Sequence, residues 1–551
     1  MNTVSSLIPS SFIHRSSTFS SAFVGKEPTL TGGAIIRQNS VDPISQTPQF
    51  AGSLPVYHSV IRGELYKTGG KKSYQVYRPD SNRPIAKIKA CTPDDVDKAV
   101  LSARAAFEVW SQTNPHERAA KLRQIAGLIR TNKPELAKLD AMNNGKPLAE
   151  AEMDVDDSAR HFEVFADKLL QQSDQLVKMP DGSETTIRKV PVGVVGQIIP
   201  WNYPLMMAAW KLAPALAAGC TSVIKPAEQT PLSVVRLAQL IEEAKILPPG
   251  SINVITGGKE TGLALLSNPL IDKYSFTGST QVGKIVAQMA ASNPSGPKDV
   301  ILELGGKSPS VVFADANLEA AVKGNAFGIF INKGEVCSAN SRIYVEDAVY
   351  DQFVDRLKAY AEAIQLGAYD EPGVKMGPLV SKEQQKRVHG FVERAVQAGA
   401  TLVTGGYIPT EGKLAKGNYY PPTILTNVSP DAEIAREEVF GPVVVVSRFN
   451  SEERAVAMAN DSKYGLAASI WTKDADRQRR LSKAIKAGVT WVNASQPAYA
   501  EIPWGGVKQS GYGKDKLESY QTDHTVYVHN DANTPLFDWF TDPDTLKGQA
   551  E

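Results

Sequence analysis

Val190-Pro191-Val192-Gly193-Val194-Val195-Gly196-Gln197-Ile198-Ile199-Pro200 is a short apolar run closed by a proline, and it predicts a buried strand over 190–199. Helical spacing follows over 205–219, then a strand over 221–225, a helix over 233–244, and strands over 251–256 and 273–276. Such a β-α-β-α succession builds a parallel, doubly wound sheet, because each crossover helix covers a sheet face. A second alternating set runs from a strand over 310–313 to one over 489–493, so two α/β domains are expected. Upstream, residues 93–112 and 116–142 pattern as amphipathic helices. The first opens on Thr92-Pro93-Asp94-Asp95, a cap with acids in the first turn. Between 171 and 191 lies a hairpin pattern with Asp181-Gly182 at its turn. It is too polar to form a core alone and is suited to pairing with another chain.

Composition bounds the function. The 551 residues are 42% hydrophobic and 22% charged, as in ordinary globular proteins. Sixty basic residues against 59 acidic ones give a net charge of +1, and no general attraction to nucleic acid or anionic membrane. Three cysteines (Cys91, Cys220, Cys337) make no disulfide framework and fit a reducing compartment. The histidines are scattered, so no metal site is expected. The longest apolar stretch, 205–220, carries Lys211 and Pro214 and reads as a buried helix, not a membrane span.

The N-terminus differs in kind. Residues 1–50 hold ten serines, only two acids (Glu27, Asp42), and the bases Arg15, Lys26 and Arg37. That composition is an organelle transit peptide's, with a plain disordered tail as the alternative; the scarcity of arginine favours a plastid over a mitochondrion. Without such a targeting role the protein would be cytoplasmic. Residues 1–55 are therefore set aside from the fold.

Three features carry chemistry. Cys337 lies in Gly334-Glu335-Val336-Cys337-Ser338, where a helix N-terminus would lower its pKa and favour thiolate; a buried, inert thiol is the bland reading. Glu303, in Leu302-Glu303-Leu304-Gly305-Gly306-Lys307, is an acid at the end of an apolar strand. Desolvation suits it to be a general base, or it pairs with Lys307. Phe276-Thr277-Gly278-Ser279-Thr280-Gln281-Val282-Gly283 reads as strand, glycine turn and helix, which lets phosphate oxygens approach backbone N–H groups.

These stretches resemble the aldehyde dehydrogenase superfamily over roughly 60–535. Pro200-Trp201-Asn202-Tyr203-Pro204, Lys225-Pro226-Ala227-Glu228, Glu437-Glu438-Val439-Phe440-Gly441-Pro442 and Pro503-Trp504-Gly505-Gly506 complete the series. The resemblance implies an α/β fold with a Rossmann-type NAD domain (56–171 and 192–302) and an α/β catalytic domain (303–495). It adds a small β oligomerisation element (172–191 and 521–535), a return segment near the active site (496–520) and a C-terminal tail (536–551). A homodimer or homotetramer is implied as well. Cys337 matches the nucleophile, Asn202 the oxyanion donor, Glu303 the base that activates water, and Lys211 the proton-relay surroundings. Lys225 and Glu228 match residues that bind the adenosine ribose. Gly278, Ser279 and Gly283 match the pyrophosphate turn, Glu438 the ligand of the nicotinamide ribose, and Phe440 a neighbour of the ring. A carboxylate at Glu228 favours NAD over NADP, because it would repel a 2′-phosphate.

Within the superfamily the chain is most similar to betaine aldehyde and ω-aminoaldehyde dehydrogenases, through Trp491-Val492-Asn493-Ala494-Ser495-Gln496-Pro497, Ile502-Pro503-Trp504 and Phe537-Asp538-Trp539-Phe540. Tyr203 and Trp210, seven apart on one helix face, would meet Trp504 in the family pocket. Such π faces suit a quaternary ammonium; ordinary core packing is the alternative. Glu150, Asp154 and Asp157 share one helix side, either as an acidic mouth, with Asp154 and Asp157 meeting the substrate, or as a solvated face. Three positions, and the stretch Lys514-Asp515-Lys516-Leu517-Glu518, depart from the family pattern. Ile331 replaces an aromatic of the box, and Lys333 and Glu335 stand where many members carry neutral residues. Glu518, with altered neighbours, falls where a relay acid is usual. The expectation is oxidation of a cationic aldehyde with NAD. The alternatives are a broad dehydrogenase of apolar aldehydes, including apocarotenals, and a scaffold that binds without turnover.

Overall fold

The computed structural model describes residues 54–533. Most of the local expectations hold. Thr221–Lys225 is a strand, Pro204–Ala218 and Leu232–Glu243 are helices, and Lys273–Thr277 and Asp299–Glu303 are strands. Five parallel strands form the middle of an eight-stranded sheet, with Val194–Ile198 between Thr221–Lys225 and Lys273–Thr277. From Val194–Ile198 the chain winds outward through Thr221–Lys225 and Ile252–Val254, then returns to the other side for Lys273–Thr277 and Asp299–Glu303. This reversal opens a crevice at the carboxyl ends of the two central strands, where doubly wound sheets bind ligands. Antiparallel strands close both edges: Gly511–Tyr512 on one, Ser59–Ile61 and Glu64–Tyr66 on the other.

A seven-stranded sheet carries the second half. Thr423–Thr426, Val443–Phe449, Arg342–Glu346, Pro309–Val312, Ala467–Trp471 and Val489–Val492 run parallel, with Thr401–Thr404 antiparallel at one edge. Each sheet is buried among its own helices. Leu205, Ala213 and Ile224 belong to one core, and Val312, Ile343 and Val446 to another.

Two boundaries differ from the sequence reading, each for a local reason. The run over 190–199 is two strands, because Pro191 ends Glu184–Pro191 and Gly193, at φ 127°, turns the chain into Val194–Ile198. A side chain at Gly193 would run into Asp272, whose carboxylate accepts the Val194 N–H at 2.7 Å. The stretch 116–142 is likewise two helices, Pro115–Thr131 and Lys133–Asn144, since Pro134 suits a first turn but not an interior. The hairpin forms with Gln175–Lys178 and Glu184–Pro191, and Gln521–Val528 of the same chain adds a third antiparallel strand. The transit segment falls almost wholly outside the described residues, as do the end of the proposed 521–535 strand and the 536–551 tail with Phe537-Asp538-Trp539-Phe540.

Candidate active site

At the crevice lies a cavity of about 570 Å³. One wall comes from the carboxyl ends of Val194–Ile198, Lys273–Thr277 and Asp299–Glu303, and the facing wall from the loop after the helix Leu318–Phe330. Cys337, Glu303, Asn202 and Lys211 all line it. So do Gly278, Ser279, Glu438 and Phe440, together with Tyr203, Trp210, Trp504, Asp154 and Asp157. Lys225, Glu228 and Gly283 do not. Lys225 is buried, donates to the Pro226 carbonyl at 2.9 Å and the Gly257 carbonyl at 2.8 Å, and stands 3.8 Å from Glu228. At Gly283 a side chain would overlap Leu304, so its bareness serves packing.

The glycine pair after Glu303 has a steric account. A side chain at Gly305 would collide with the Glu438 carboxylate, and one at Gly306 with the Cys337 carbonyl. The Gly306 N–H donates to Glu438 Oε1 at 2.9 Å. Gly505, beside Trp504, leaves room for the Glu303 carboxyl; a side chain there would stand 2.8 Å from Oε1. Motifs far apart in the chain thus converge because each cedes volume to another's reactive group.

Glu303 is 7% exposed, and neither carboxyl oxygen has a hydrogen-bond partner. Burial pushes its pKa well above the carboxylate range; Asp515 adds to the rise, and Lys211 and Lys514 oppose it. The alternative pairing with Lys307 does not form. Lys307 is buried with Arg342 and Glu438 as its nearest electrostatic influences, and burial lowers it to about 7.

The environment of Cys337 corrects the helix N-terminus expectation. Leu318–Phe330 ends before it, and a 3₁₀ turn over Ile331–Gly334 intervenes, so no helix begins at the thiol. Burial pushes the thiol up to about 12, with the Glu438 and Glu303 carboxyls adding to the rise. The thiol is therefore the resting form. Glu335 opposes ionisation less directly than its sequence position suggests, because its carboxylate turns away to Lys333, 3.2 Å distant. Asn202 uses one amide hydrogen on the Glu335 carbonyl at 2.8 Å.

Glu518 lies away from the cavity lining. Half-exposed, it stands 3.9 Å from Lys516 and influences Lys168. Asp515, which the sequence reading did not single out, stands at the cavity instead. Lys211 Nζ donates to Asp515 Oδ2 at 2.9 Å and to Ser275 Oγ at 2.7 Å, and Asp515 lines the cavity. The acid sits three residues earlier than expected, a shift that no periodicity reveals in an irregular segment.

At the other end of the cavity, Trp210 meets Trp504 edge-on at 5.7 Å, with Trp491 behind Trp504 at 6.1 Å. Ile331 lines the same cavity, so the substituted box position is part of the wall. The acidic helix face is neither a mouth of free carboxylates nor a solvated surface. Glu150 and Asp154 are buried, and the Lys146 ammonium pairs with Asp154 while lying 3.9 Å from the Tyr203 ring centroid. Burial alone would lower the Lys146 pKa, but the surrounding Asp154, Glu150 and Asp140 carboxyls hold it above its usual value. Only Asp157 keeps partial exposure, accepting the Trp210 indole N–H at 3.0 Å. A lysine 57 residues from Tyr203 carries no sequence signal of that contact.

The Aldehyde dehydrogenase family pattern matches residues 66–529, nearly the whole described chain. The chain belongs to the aldehyde dehydrogenase family. A chloroplastic betaine aldehyde dehydrogenase of Amaranthus hypochondriacus is 42% identical over 505 residues, covering 89% of this chain and 99% of that protein. A peroxisomal aminoaldehyde dehydrogenase of Malus domestica is 41% identical, covering 90% and 99%. A crystal structure of betaine aldehyde dehydrogenase from Staphylococcus aureus in complex with NAD+ superposes with a TM-score of 0.84 at 38% identity, covering 88% of this chain and 97% of that one. Among the described residues of this family member, no helix is long and apolar enough to cross a membrane.

Proposed function

We propose that the enzyme oxidises a cationic aldehyde, betaine aldehyde or an ω-aminoaldehyde, to its acid with NAD. The observation that carries this reading is one cavity holding Cys337, Glu303 and Asn202 beside the Trp210–Trp504 pair and Asp157. The Cys337 thiol loses its proton to solvent water in the cavity, and the thiolate attacks the aldehyde carbon. The second Asn202 amide hydrogen and the Cys337 backbone N–H hold the resulting oxyanion of the thiohemiacetal. Bound NAD supplies the hydride acceptor that leaves a thioester on Cys337. Glu303 then deprotonates water for hydrolysis, and the Asp515–Lys211 pair beside it passes the proton outward.

The residues present fit the cofactor. The Ser279 hydroxyl caps the helix Thr280–Ala291, placing an N-terminal dipole at the Gly278 turn for a pyrophosphate. Glu438, pushed up to about 7 by burial, borders the cavity where a ribose hydroxyl would sit. Lys225 and Glu228 lie one strand away, for the adenosine ribose; Glu228 accounts for a preference for NAD over NADP. Purified enzyme supplied with NAD tests the whole reading by NADH formation. Higher kcat/KM for betaine aldehyde or aminoaldehydes than for straight-chain aldehydes and apocarotenals is expected. The reverse order would select the broad-aldehyde reading, which the apolar wall residues Ile331 and Met206 favour. No NADH from any aldehyde would leave the non-catalytic one.

The Trp504→Ala variant should lose more efficiency with betaine aldehyde than with 3,3-dimethylbutanal, an uncharged aldehyde of similar size. Both lose packing, but only the cation loses attraction to the ring, worth roughly 0.5–2 kcal/mol. The selective loss in kcat/KM is therefore about two- to thirtyfold, and Ile331 places it in the lower part of that range. Equal losses would make Trp504 a packing residue.

We further propose 56–171 with 192–302 as the NAD-binding domain, 303–495 as the catalytic domain, and the three-stranded sheet as the contact of a homodimer or homotetramer. Leu176 and Val528, 59% and 60% exposed, support that sheet's role. For localisation we propose a plastid, on the Ser-rich, acid-poor composition of residues 1–50. Residues 1–55 fused to a fluorescent reporter should carry it into plastids of a plant cell, and a cytosolic reporter would overturn this.

A further inference from the structure

We propose that the buried Lys333–Glu335 ion pair positions the nucleophile loop and the oxyanion donor, so that Cys337 and Asn202 share one rigid frame. The inference rests on the reading of Cys337 as nucleophile and adds two positioning residues to it.

The loop before Cys337 has an uncommon backbone. Asn332, Lys333 and Gly334 are left-handed in succession, at φ 45°, 60° and 69°. Gly334 has to be bare, because a side chain would strike the Gly441 carbonyl. Asn332 and Lys333 have no such freedom, and side-chain-bearing residues stay in this region only where surrounding contacts over-determine them. Those contacts come from Lys333 and Glu335, which are 1% and 0% exposed in their side chains.

Lys333 Nζ donates to Asn144 Oδ1 at 2.5 Å, to the Asn144 carbonyl at 3.3 Å and to Asn332 Oδ1 at 2.8 Å. Glu335 Oε1 accepts the Val380 N–H at 3.0 Å, while Oε2 has no hydrogen-bond donor and faces the Lys333 charge. The same residues hold Asn202. Its carbonyl accepts from Asn332 Nδ2 at 2.8 Å and Asn144 Nδ2 at 3.3 Å, and its side-chain amide donates to the Glu335 carbonyl. Asn144 Nδ2 also donates to the Trp201 carbonyl at 3.0 Å. The ammonium thus orients the two asparagines that fix Asn202, and its counter-charge lies two residues from Cys337. Neither charge is solvated, and although Glu150 also faces Lys333 and Lys146 also faces Glu335, each is the other's largest charge influence. Removing one leaves the second poorly compensated, whereas replacing both relieves that imbalance but not the loss of the ammonium's hydrogen bonds.

The test compares Glu335→Gln, Lys333→Met, the double variant and Asn144→Ala with wild type. Two rates are measured: alkylation of Cys337 by iodoacetamide, followed by peptide mass spectrometry, and the pre-steady-state NADH burst per folded site. The alkylation arm needs neither substrate nor cofactor, and Cys91 and Cys220 are buried away from reagent. Each single charge variant should change the alkylation rate at least threefold and slow the burst tenfold or more. The double variant lacks the ammonium that orients the asparagines, so its burst should stay slower than wild type, but both rates should change by less than the product of the two singles. Asn144→Ala keeps both charges and removes one of the two asparagines through which Lys333 holds Asn202, together with the contact to the Trp201 carbonyl, so it should slow the burst with KM for the aldehyde little changed. A pair that served stability alone would lower the melting temperature and leave both rates of the folded enzyme unchanged, and that result overturns the proposal. A double variant as impaired as the product of the singles overturns it too. If a charge variant does not fold, a wild-type burst in Asn144→Ala is sufficient to reject the proposal. A wild type that shows no burst rejects the functional reading instead, while the alkylation arm still judges the pair.

Discussion

Cys337→Ser is expected to abolish aldehyde oxidation, lowering kcat/KM by more than about a thousandfold, the scale on which loss of an enzymic nucleophile registers. A serine hydroxyl fits the same space but ionises far less readily than a thiol. The site offers it little help, because burial and the Glu438 and Glu303 carboxyls already push even the thiol up to about 12. The NAD-side residues Gly278, Ser279, Glu438 and Phe440 are untouched, so NAD affinity measured by calorimetry should stay within about twofold. Serine variant activity within tenfold of wild type would defeat the assignment of Cys337. Intact activity with lost NAD affinity would mean that the thiol serves the cofactor instead.

Glu303→Gln should separate the two halves of the reaction. Its carboxyl has no hydrogen-bond partner and lines the same cavity as Cys337. Glutamine keeps the shape and cannot accept the proton, so hydrolysis should fall by roughly 10²- to 10⁴-fold, the usual worth of a general base. Removing the Glu303 charge also removes one influence that raises the Cys337 thiol, which favours attack in the variant. A burst of NADH followed by slow turnover is expected. The pH dependence follows from the same burial. Burial holds the wild-type carboxyl above the carboxylate range, so its basic form and the steady-state rate should grow as pH rises beyond that range; the variant should lack that limb. Equal losses in burst and steady phases would show that Glu303 acts before hydride transfer as much as after it.

Asp515 links the second prediction to the structure's correction of Glu518. A relay acid has to touch Lys211, and the chain between Gly513 and Tyr520 is irregular, with a 3₁₀ turn only over Leu517–Tyr520. Without a regular period, acids at 515 and 518 cannot be ranked by spacing; the 2.9 Å contact with Lys211 ranks them. The aromatic end shows the converse. Trp210 and Trp504 were legible as partners and do meet, whereas Trp491 behind them and Lys146 against Tyr203 were not.

Sequence alone determined what depends on near neighbours along the chain. Alternating apolar strands and helices, the cap at Thr92 and the strand–turn–helix at Gly278 all follow from backbone sterics and local periodicity. Glu303 and Cys337 stood out through their glycine-flanked, apolar stretches, whereas Asn202 was legible only through the resemblance to the family. Tertiary structure alone decided what each charge experiences. Lys146 neutralises Asp154, Lys333 turns Glu335 away from the thiol, and Cys337 follows a helix end instead of opening a helix. A group's ionisation is set by solvent exclusion and by charges a few ångströms away, and in this fold those charges come from segments as far as 304 residues apart, as with Lys211 and Asp515.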